Sequence, residues 1–367
     1  YAAAGEVPWE TWFSVQQTFK IEITAQRSPL KSLNFAALRI KDAVADRFRA
    51  KVGVRPSVDT HYPQVRIHGH LDAQHLTLYI DTSGEPLFKR GWRQDKGDAP
   101  LKETLAAAIL AASGWQPQSG QALYDPCCGS GTIVIEAAQM ACRIAPGGQR
   151  RFAFERLLPH QPALWQQLLH EARAAEIRPQ DIFIFGSDVS HRIVDFAQRN
   201  AERAGVAHAA QLRGGDALQR MPPVDGTGVL LLNPPYGERI AAAGVAGQDA
   251  AARARRMADA GRERAVMTED TANGGEADFF ARLASHWKKH YVGWKAWVLS
   301  PDMTLPGRMR LQASRRVPLW NGPIECRLFC FDIVSGSPVK DRPERDRPPA
   351  EKDTQGVHNR PRGNAAP

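Results

Sequence analysis

A short apolar run, Ala122 to Tyr124, ends in Asp125-Pro-Cys-Cys-Gly-Ser-Gly131, and an apolar helical pattern from Thr132 to Cys142 begins at once. Strand, glycine turn and helix in that order confine the chain to few architectures, because a strand that feeds a helix returns to its sheet as a parallel neighbour. The pattern repeats downstream. Asp181 to Phe185 reads as an apolar strand, Ser190 to Ala204 as a helix stopped by Gly205, and Gln211 to Arg213 and Gly228 to Leu232 as further strands. Residues 293–299 and 324–333 supply the last ones. Apolar strands separated by helices predict an α/β fold, Rossmann-like, with a parallel sheet covered on both faces and a ligand crevice beyond the carboxyl ends of the strands.

Upstream the pattern changes. Ser14 to Thr24 alternates like a strand, Phe35 to Arg49 has helical periodicity, and Gln64 to His70 and His75 to Asp81 alternate again, so residues 1–82 read as a small α+β unit. Residues 83–99 carry Gly, Pro and charge, as a linker does. Pro100 then suits the first position of a helix with Leu101, Leu105, Ile109 and Ala112 on one stripe and Gly114 as its stop. The main domain is expected over 100–334. Within it, 241–275 is an Ala-, Arg- and Gly-rich insertion, either a solvated helix or a disordered loop, and residues 335–367 form a tail too poor in large apolar side chains to pack.

Composition narrows the setting. The five cysteines include no C-x-x-C pair, which points away from a disulfide framework or structural zinc and towards a reducing cytoplasm. No apolar run is long enough to span a bilayer, so no membrane partner is expected, and with no clustered histidines to complete a ligand set no metal partner is expected either. The net charge of +9 favours a polyanion. Much of that excess is local: between Arg27 and Arg55 eight basic residues face only Asp42 and Asp46.

The chemistry sits at the strand ends. Gly129 and Gly131 let the backbone turn sharply and approach a ligand. The spacing is not G-x-G-x-x-G, and Asp125 at the strand end repels a pyrophosphate but attracts an ammonium, such as the α-amino group of S-adenosylmethionine. Asp188, closing Phe-Gly-Ser-Asp, lies where a carboxylate can accept both hydroxyls of a ribose, and Asp216 follows the next strand, where it can accept from an adenine amine. Singly each is an ordinary turn aspartate or helix cap; in strand order after the glycine turn they form a nucleoside cradle. Asn233-Pro-Pro-Tyr236 then follows the apolar strand Gly228 to Leu232. A base amine is a poor nucleophile because its lone pair is delocalised into the ring. The Asn233 side-chain oxygen and the Pro234 carbonyl can each accept one of its hydrogens and turn the lone pair towards a methyl donor. Pro234 and Pro235 stiffen the turn, and Tyr236 offers an unstacked base an aromatic face.

Other residues read more plainly. His68, His70 and His75 lie on or near strands without a carboxylate or cysteine partner, and a solvated strand face explains them. Cys127 and Cys128 have no local histidine base to make a nucleophile.

The segments LNFAALRIKDAVADRFR, RPSVDT, DTSGEPLFKRGWR, APLKETLAAAIL, YDPCCGSGT, FGSD, NPPYGER and NGPIECRLF resemble those of bacterial RNA guanine-N2 methyltransferases, in which a THUMP domain precedes a Rossmann-type methyltransferase domain. The resemblance covers nearly everything from Trp9 to Val334 and is closest to the enzymes acting on 23S ribosomal RNA. It implies S-adenosylmethionine as cofactor, contacted by Asp125, Pro126, Cys127, Gly129, Ser130, Gly131, Asp188, Asp216 and Asn233, with Thr104 as a further neighbour. It implies a target-amine site at Asn233, Pro234, Pro235 and Tyr236, and an RNA-docking THUMP unit with Arg27, Lys31, Arg39, Lys41, Arg55, Arg90 and Arg93 as RNA contacts. Relatives begin with further residues that complete a ferredoxin-like unit, and some carry a second methyltransferase domain; one methylation activity is expected here. The same tetrapeptide suits any exocyclic base amine, so adenine-N6 methylation of DNA, a transfer-RNA guanine, or a non-catalytic role in ribosome assembly stay open.

Overall fold

In the computed structural model, residues 1–97, 100–181, 183–234 and 269–335 are described. The first unit is built on a three-stranded sheet, β1 (Phe19–Ala25), β2 (Val65–Leu71) and β3 (Leu76–Ile80), in which β1 runs parallel to β2 and β3 antiparallel to it. After a short first helix, α1 (Ala2–Glu6), the helix α2 (Leu33–Val52) joins β1 to β2. The Ser32 hydroxyl accepts from the Phe35 amide to cap it, and Gly53 ends it in the left-handed region. Phe13, Phe19, Phe48, Val44 and Ile67 fill the core beneath.

The second sheet has seven strands: β4 (Ala122–Asp125), β5 (Ile184–Asp188), β6 (Gln211–Gly214), β7 (Gly228–Leu232), β8 (Lys295–Ser300), β9 (Arg315–Asn321) and β10 (Ile324–Asp332), in the order β6-β5-β4-β7-β8-β10-β9. The first five are parallel, and β10 is antiparallel to both neighbours. The sheet is therefore mixed rather than wholly parallel. The chain leaves β4 in one direction along the sheet and returns to its other side at β7, which places a switch point, and so a crevice, at the ends of β4 and β7.

Helices cover both faces. Leu123, Val229 and Leu231 face α3 (Glu103–Ser113), α4 (Thr132–Ala141) and α6 (His191–Arg203), while Tyr124, Leu230 and Leu232 face Phe280, Leu283 and Trp287 of α7 (Glu269–His290), the strand period of two separating the sets. A further helix, α5 (Pro162–Ala174), precedes β5, and α8 (Leu305–Met309) precedes β9.

Several sequence expectations shift. The strand read from Ser14 starts at Phe19, because residues 14–17 close a turn in which the Gln17 side chain accepts from the Ser14 amide. The strand read over 181–185 instead spans Ile184–Asp188, so that Asp188 is its last residue. Pro100 does not open a helix: α3 starts at Glu103, and the Leu101 carbonyl accepts from Arg93 instead. Neither α5 nor β9 was anticipated. Residues 269–275 of the expected insertion open α7; the rest of that insertion, with Pro235, Tyr236 and the tail beyond residue 335, lies outside the described residues.

Residues 83–97 are no loose tether. Trp92 is fully buried, the Arg203 side chain donates to the Trp92 carbonyl at 3.0 Å, and Arg150 donates to the carbonyls of Ser83 and Pro86 at 2.9 Å each. The first unit also meets the segment that precedes α5, where the Leu158 amide donates to the Trp12 carbonyl and the Phe154 amide to the Thr82 carbonyl.

Candidate active site

Four parallel strands end one after another on a single cavity of about 620 Å³. Asp125 ends β4, Asp188 ends β5, Asp216 follows β6, and Asn233 with Pro234 follows β7; all five line it. Backbone amides fix the carboxylates. Asp125 accepts from Cys127 N–H at 3.0 Å. Asp188 accepts from Gly129 at 3.1 Å and Ser190 at 3.0 Å, tying the glycine turn to the start of α6, and Asp216 accepts from Leu218 at 2.9 Å. The two glycines of the turn differ. At Gly129 (φ +53°) a Cβ would meet nothing within 4 Å, which is room for a ligand, whereas at Gly131 (φ +88°) it would come within 3.0 Å of the Ala197 Cβ. Gly131 opens α4 and does not line the cavity.

Among the described residues, no basic side chain pairs with Asp125 or Asp188. Burial, with Asp188 nearby, raises the Asp125 pKa to about 8 against the pull of the Cys127 amide. Burial likewise raises Asp188 despite its two amide donors, and burial first, then Asp125, pushes the Cys127 and Cys128 thiols up. Those thiols are protonated and unsuited to nucleophilic work. A carboxyl held neutral by burial becomes a cation site when an ammonium arrives to share its charge.

A strap, residues 90–97 with 100 and 101, closes one side of the cavity through Gly97, Pro100 and Leu101, and buried charge holds it there. Arg93 donates to Glu103 at 2.7 Å, Thr132 at 2.7 Å, Ser130 at 3.0 Å and the Leu101 carbonyl at 3.1 Å. Arg90 forks onto Glu136 at 3.2 Å. Asn200, fully buried, donates to the carbonyls of Asp95 at 2.8 Å and Ser130 at 3.2 Å. Arg90 and Arg93, expected to contact RNA, have side chains 11% and 12% exposed and spend their donors inside the fold. Their place is the strap, and the reason is the pair of buried glutamates that the sequence does not mark as their partners.

Of the other expected residues, Pro126, Cys127 and Ser130 line the cavity, while Thr104 is exposed on α3 and does not. Arg27, Lys31 and Arg39 are exposed and form no ion pair with a described residue; Arg39 lies over the Tyr1 ring. Lys41 pairs with Asp42 at 2.7 Å, and Arg55 and Arg49 share Asp46. Pro301, Asn321 and Ile324 also line the cavity and were assigned no role, although NGPIECRLF contains two of them. Pro301 comes there at the end of β8, and the antiparallel return of β10 brings Asn321 and Ile324.

Seven strands in this order, with acidic residues at three successive carboxyl ends beside an Asn-Pro corner, define a nucleotide-binding α/β transferase fold. A model of the RMKL-like methyltransferase domain matches residues 90–273, half of the chain, and a THUMP domain model matches residues 1–81; the chain belongs to the RMKL-like methyltransferase family. The methyltransferase match begins inside the strap. The ribosomal RNA large subunit methyltransferase K/L of Shewanella loihica is 40% identical over 341 residues, covering 92% of this chain and 44% of its own length, so the chain spans less than half of the curated relatives it matches. Among solved structures, SMU.472, a methyltransferase complexed with SAH, aligns with a TM-score of 0.73 at 25% identity, covering 92% of this chain and 80% of that one. A protein from Listeria monocytogenes described as an N6-adenine-specific DNA methylase aligns with a TM-score of 0.73 at 26% identity, covering 90% and 77%.

Proposed function

We propose that this chain transfers a methyl group from S-adenosylmethionine to the N2 amine of a guanine in RNA, with 23S ribosomal RNA as the substrate. The observation that carries the reading is the shared cavity: Asn233 and Pro234 stand beside the carboxylates of Asp125 and Asp188 at the ends of adjacent strands. The residues fit the cofactor. Asp125, buried and without a basic partner among the described residues, takes its α-ammonium; Asp188 accepts from its ribose hydroxyls; Asp216 accepts from its adenine amine; and Gly129 leaves open space where a side chain would intrude. Bound there, S-adenosylmethionine supplies an electrophilic methyl group on a sulfonium.

The chain's own residues then do two things. The Asn233 oxygen and the Pro234 carbonyl accept the two amine hydrogens and orient the lone pair, and Pro234, which has no N–H, offers no competing donor. No strong base is needed, because the proton leaves after the nitrogen has become cationic. The THUMP unit, with Arg27, Lys31 and Arg39 exposed, holds RNA by its phosphates. The K/L relatives named for the large ribosomal subunit support this target. Adenine-N6 methylation is the second reading, supported by the likeness to the Listeria protein. Purified chain given labelled S-adenosylmethionine and, side by side, 23S RNA, 16S RNA, transfer RNA and duplex DNA should place N2-methylguanosine in 23S RNA. Label confined to duplex DNA as N6-methyladenine would replace this reading, and binding of RNA without transfer would make the chain an assembly factor.

A further inference from the structure

The cavity has a second half that the cofactor residues do not reach. Asp125, Asp188 and Asp216 belong to β4, β5 and β6; on the other side of Asn233 lie Pro301 after β8, Ile324 at the start of β10 and Asn321 at the end of β9. Those three include no titratable group. Asn321 is their one polar side chain, and its carboxamide forms no hydrogen bond with a described residue. The turn that carries it is stiff. Asn321 pairs with Ile324 across the two-residue loop Gly322-Pro323, with Gly322 at φ +65° as the first loop position of a tight hairpin requires and Pro323 fixed by its ring.

We infer that Asn321 is the residue that selects the target base, by pairing with the N1–H and O6 of guanine. The inference rests on the guanine-N2 reading above. β7 and β9 are separated by β8 and β10, three strand spacings or about 14 Å. Two carboxamide side chains that reach in from those strand ends, each with a hydrogen bond of about 2.9 Å, leave between them the width of one edge of a base. With the N2 amine held at Asn233 and Pro234, the next groups along the same edge of guanine are N1–H, a donor, and O6, an acceptor. A carboxamide is the neutral side chain that offers an acceptor and a donor side by side, so it meets both at once. Adenine held by its N6 amine presents a bare N1 followed by a C–H, and Asn321 can make one bond to it. Pro301 and Ile324 provide apolar walls for the ring faces, as pockets for flipped bases do.

The test uses the full chain, a 23S RNA transcript and labelled S-adenosylmethionine, with methylated nucleosides identified after digestion and SAH affinity measured by calorimetry. For Asn321→Ala, kcat/KM for the transcript should fall about ten- to hundredfold, the worth of a bidentate base contact, while SAH affinity stays at the wild-type value. Asn321→Asp, which keeps an acceptor and loses the donor, should fall as far. Unchanged turnover in both variants overturns the assignment, and so does a parallel loss of SAH affinity, since the hairpin would then serve the cofactor. Wild-type protein that forms N6-methyladenosine or no methylated nucleoside overturns the guanine reading itself, a result separate from either variant's behaviour.

Discussion

The two halves of the cavity are built from opposite materials. On the β4, β5 and β6 side, three carboxyl groups converge, Asp125 and Asp188 are raised by burial, and amides of the glycine turn hold them in place. On the β8, β10 and β9 side, the lining residues are Pro301, Ile324, Asn321 and Cys326, and Cys326 is itself raised by burial and so neutral. The acidic half suits a ligand that brings its own positive charge and hydroxyls. The neutral half suits a flat heterocycle read by dipoles. Asn233 and Pro234 stand at the junction, which is where two substrates must meet for a group to pass between them.

Substitutions should therefore separate the halves. The largest effect is expected at the junction: Asn233→Ala should lower kcat about a hundred- to thousandfold while SAH still binds, as measured by labelled transfer and calorimetry. Unaltered kcat would remove the catalytic assignment. Next comes the strap. Glu103→Gln leaves Arg93 charged, buried and short of its anion, and should cost about 3 kcal/mol in urea unfolding and weaken SAH more than RNA, since Arg93 braces Leu101 and Ser130. Asp188→Ala should weaken SAH about tenfold, the worth of charged hydrogen bonds to a ribose, with RNA affinity unchanged in a filter-binding assay. Equal losses for both ligands would erase the distinction between the halves.

The pH dependence follows from Asp125. Its pKa is raised to about 8 without a ligand, so below that pH the carboxyl must release a proton before it can face an ammonium. Affinity for SAH should rise with pH, by at most about tenfold per unit, and level off above about pH 8; Asp125→Asn should flatten the profile. The sign for folding is opposite. A raised folded pKa favours the ligand-free fold below the ordinary carboxylate range, and that contribution is lost as the pH climbs to about 8. The smallest effect belongs to the first unit: Lys31→Ala should reduce the salt dependence of RNA binding by about one phosphate contact and leave SAH untouched.

What could be read from sequence followed local physics. β7 spans Gly228–Leu232 as the apolar run predicts, because five buried residues bounded by a glycine and an Asn-Pro corner have few other options. Asp125 stands out because it is the first polar residue after an apolar strand, whereas Ser187 precedes Asp188 and β6 before Asp216 carries Gln211 and Arg213, so those two are marked only by their order along the chain. Arg90 and Arg93 misled because a basic side chain in a polar segment reads as surface until the fold supplies Glu136 and Glu103, residues 46 and 10 positions away. β9 was hidden by Pro318, which an edge strand tolerates and a central one does not. Helix α5 has no buried residue, so no buried stripe announced it. Asn321 escaped because its place depends on an antiparallel return that no local pattern encodes.

The most direct test is a crystal structure of the chain with SAH. The account predicts the amino group at Asp125, the ribose hydroxyls at Asp188 and the sulfur turned towards Asn233, with the space beside Asn321 left open for a base. SAH seated against Pro301 and Asn321, or with its sulfur turned away from Asn233, would contradict it.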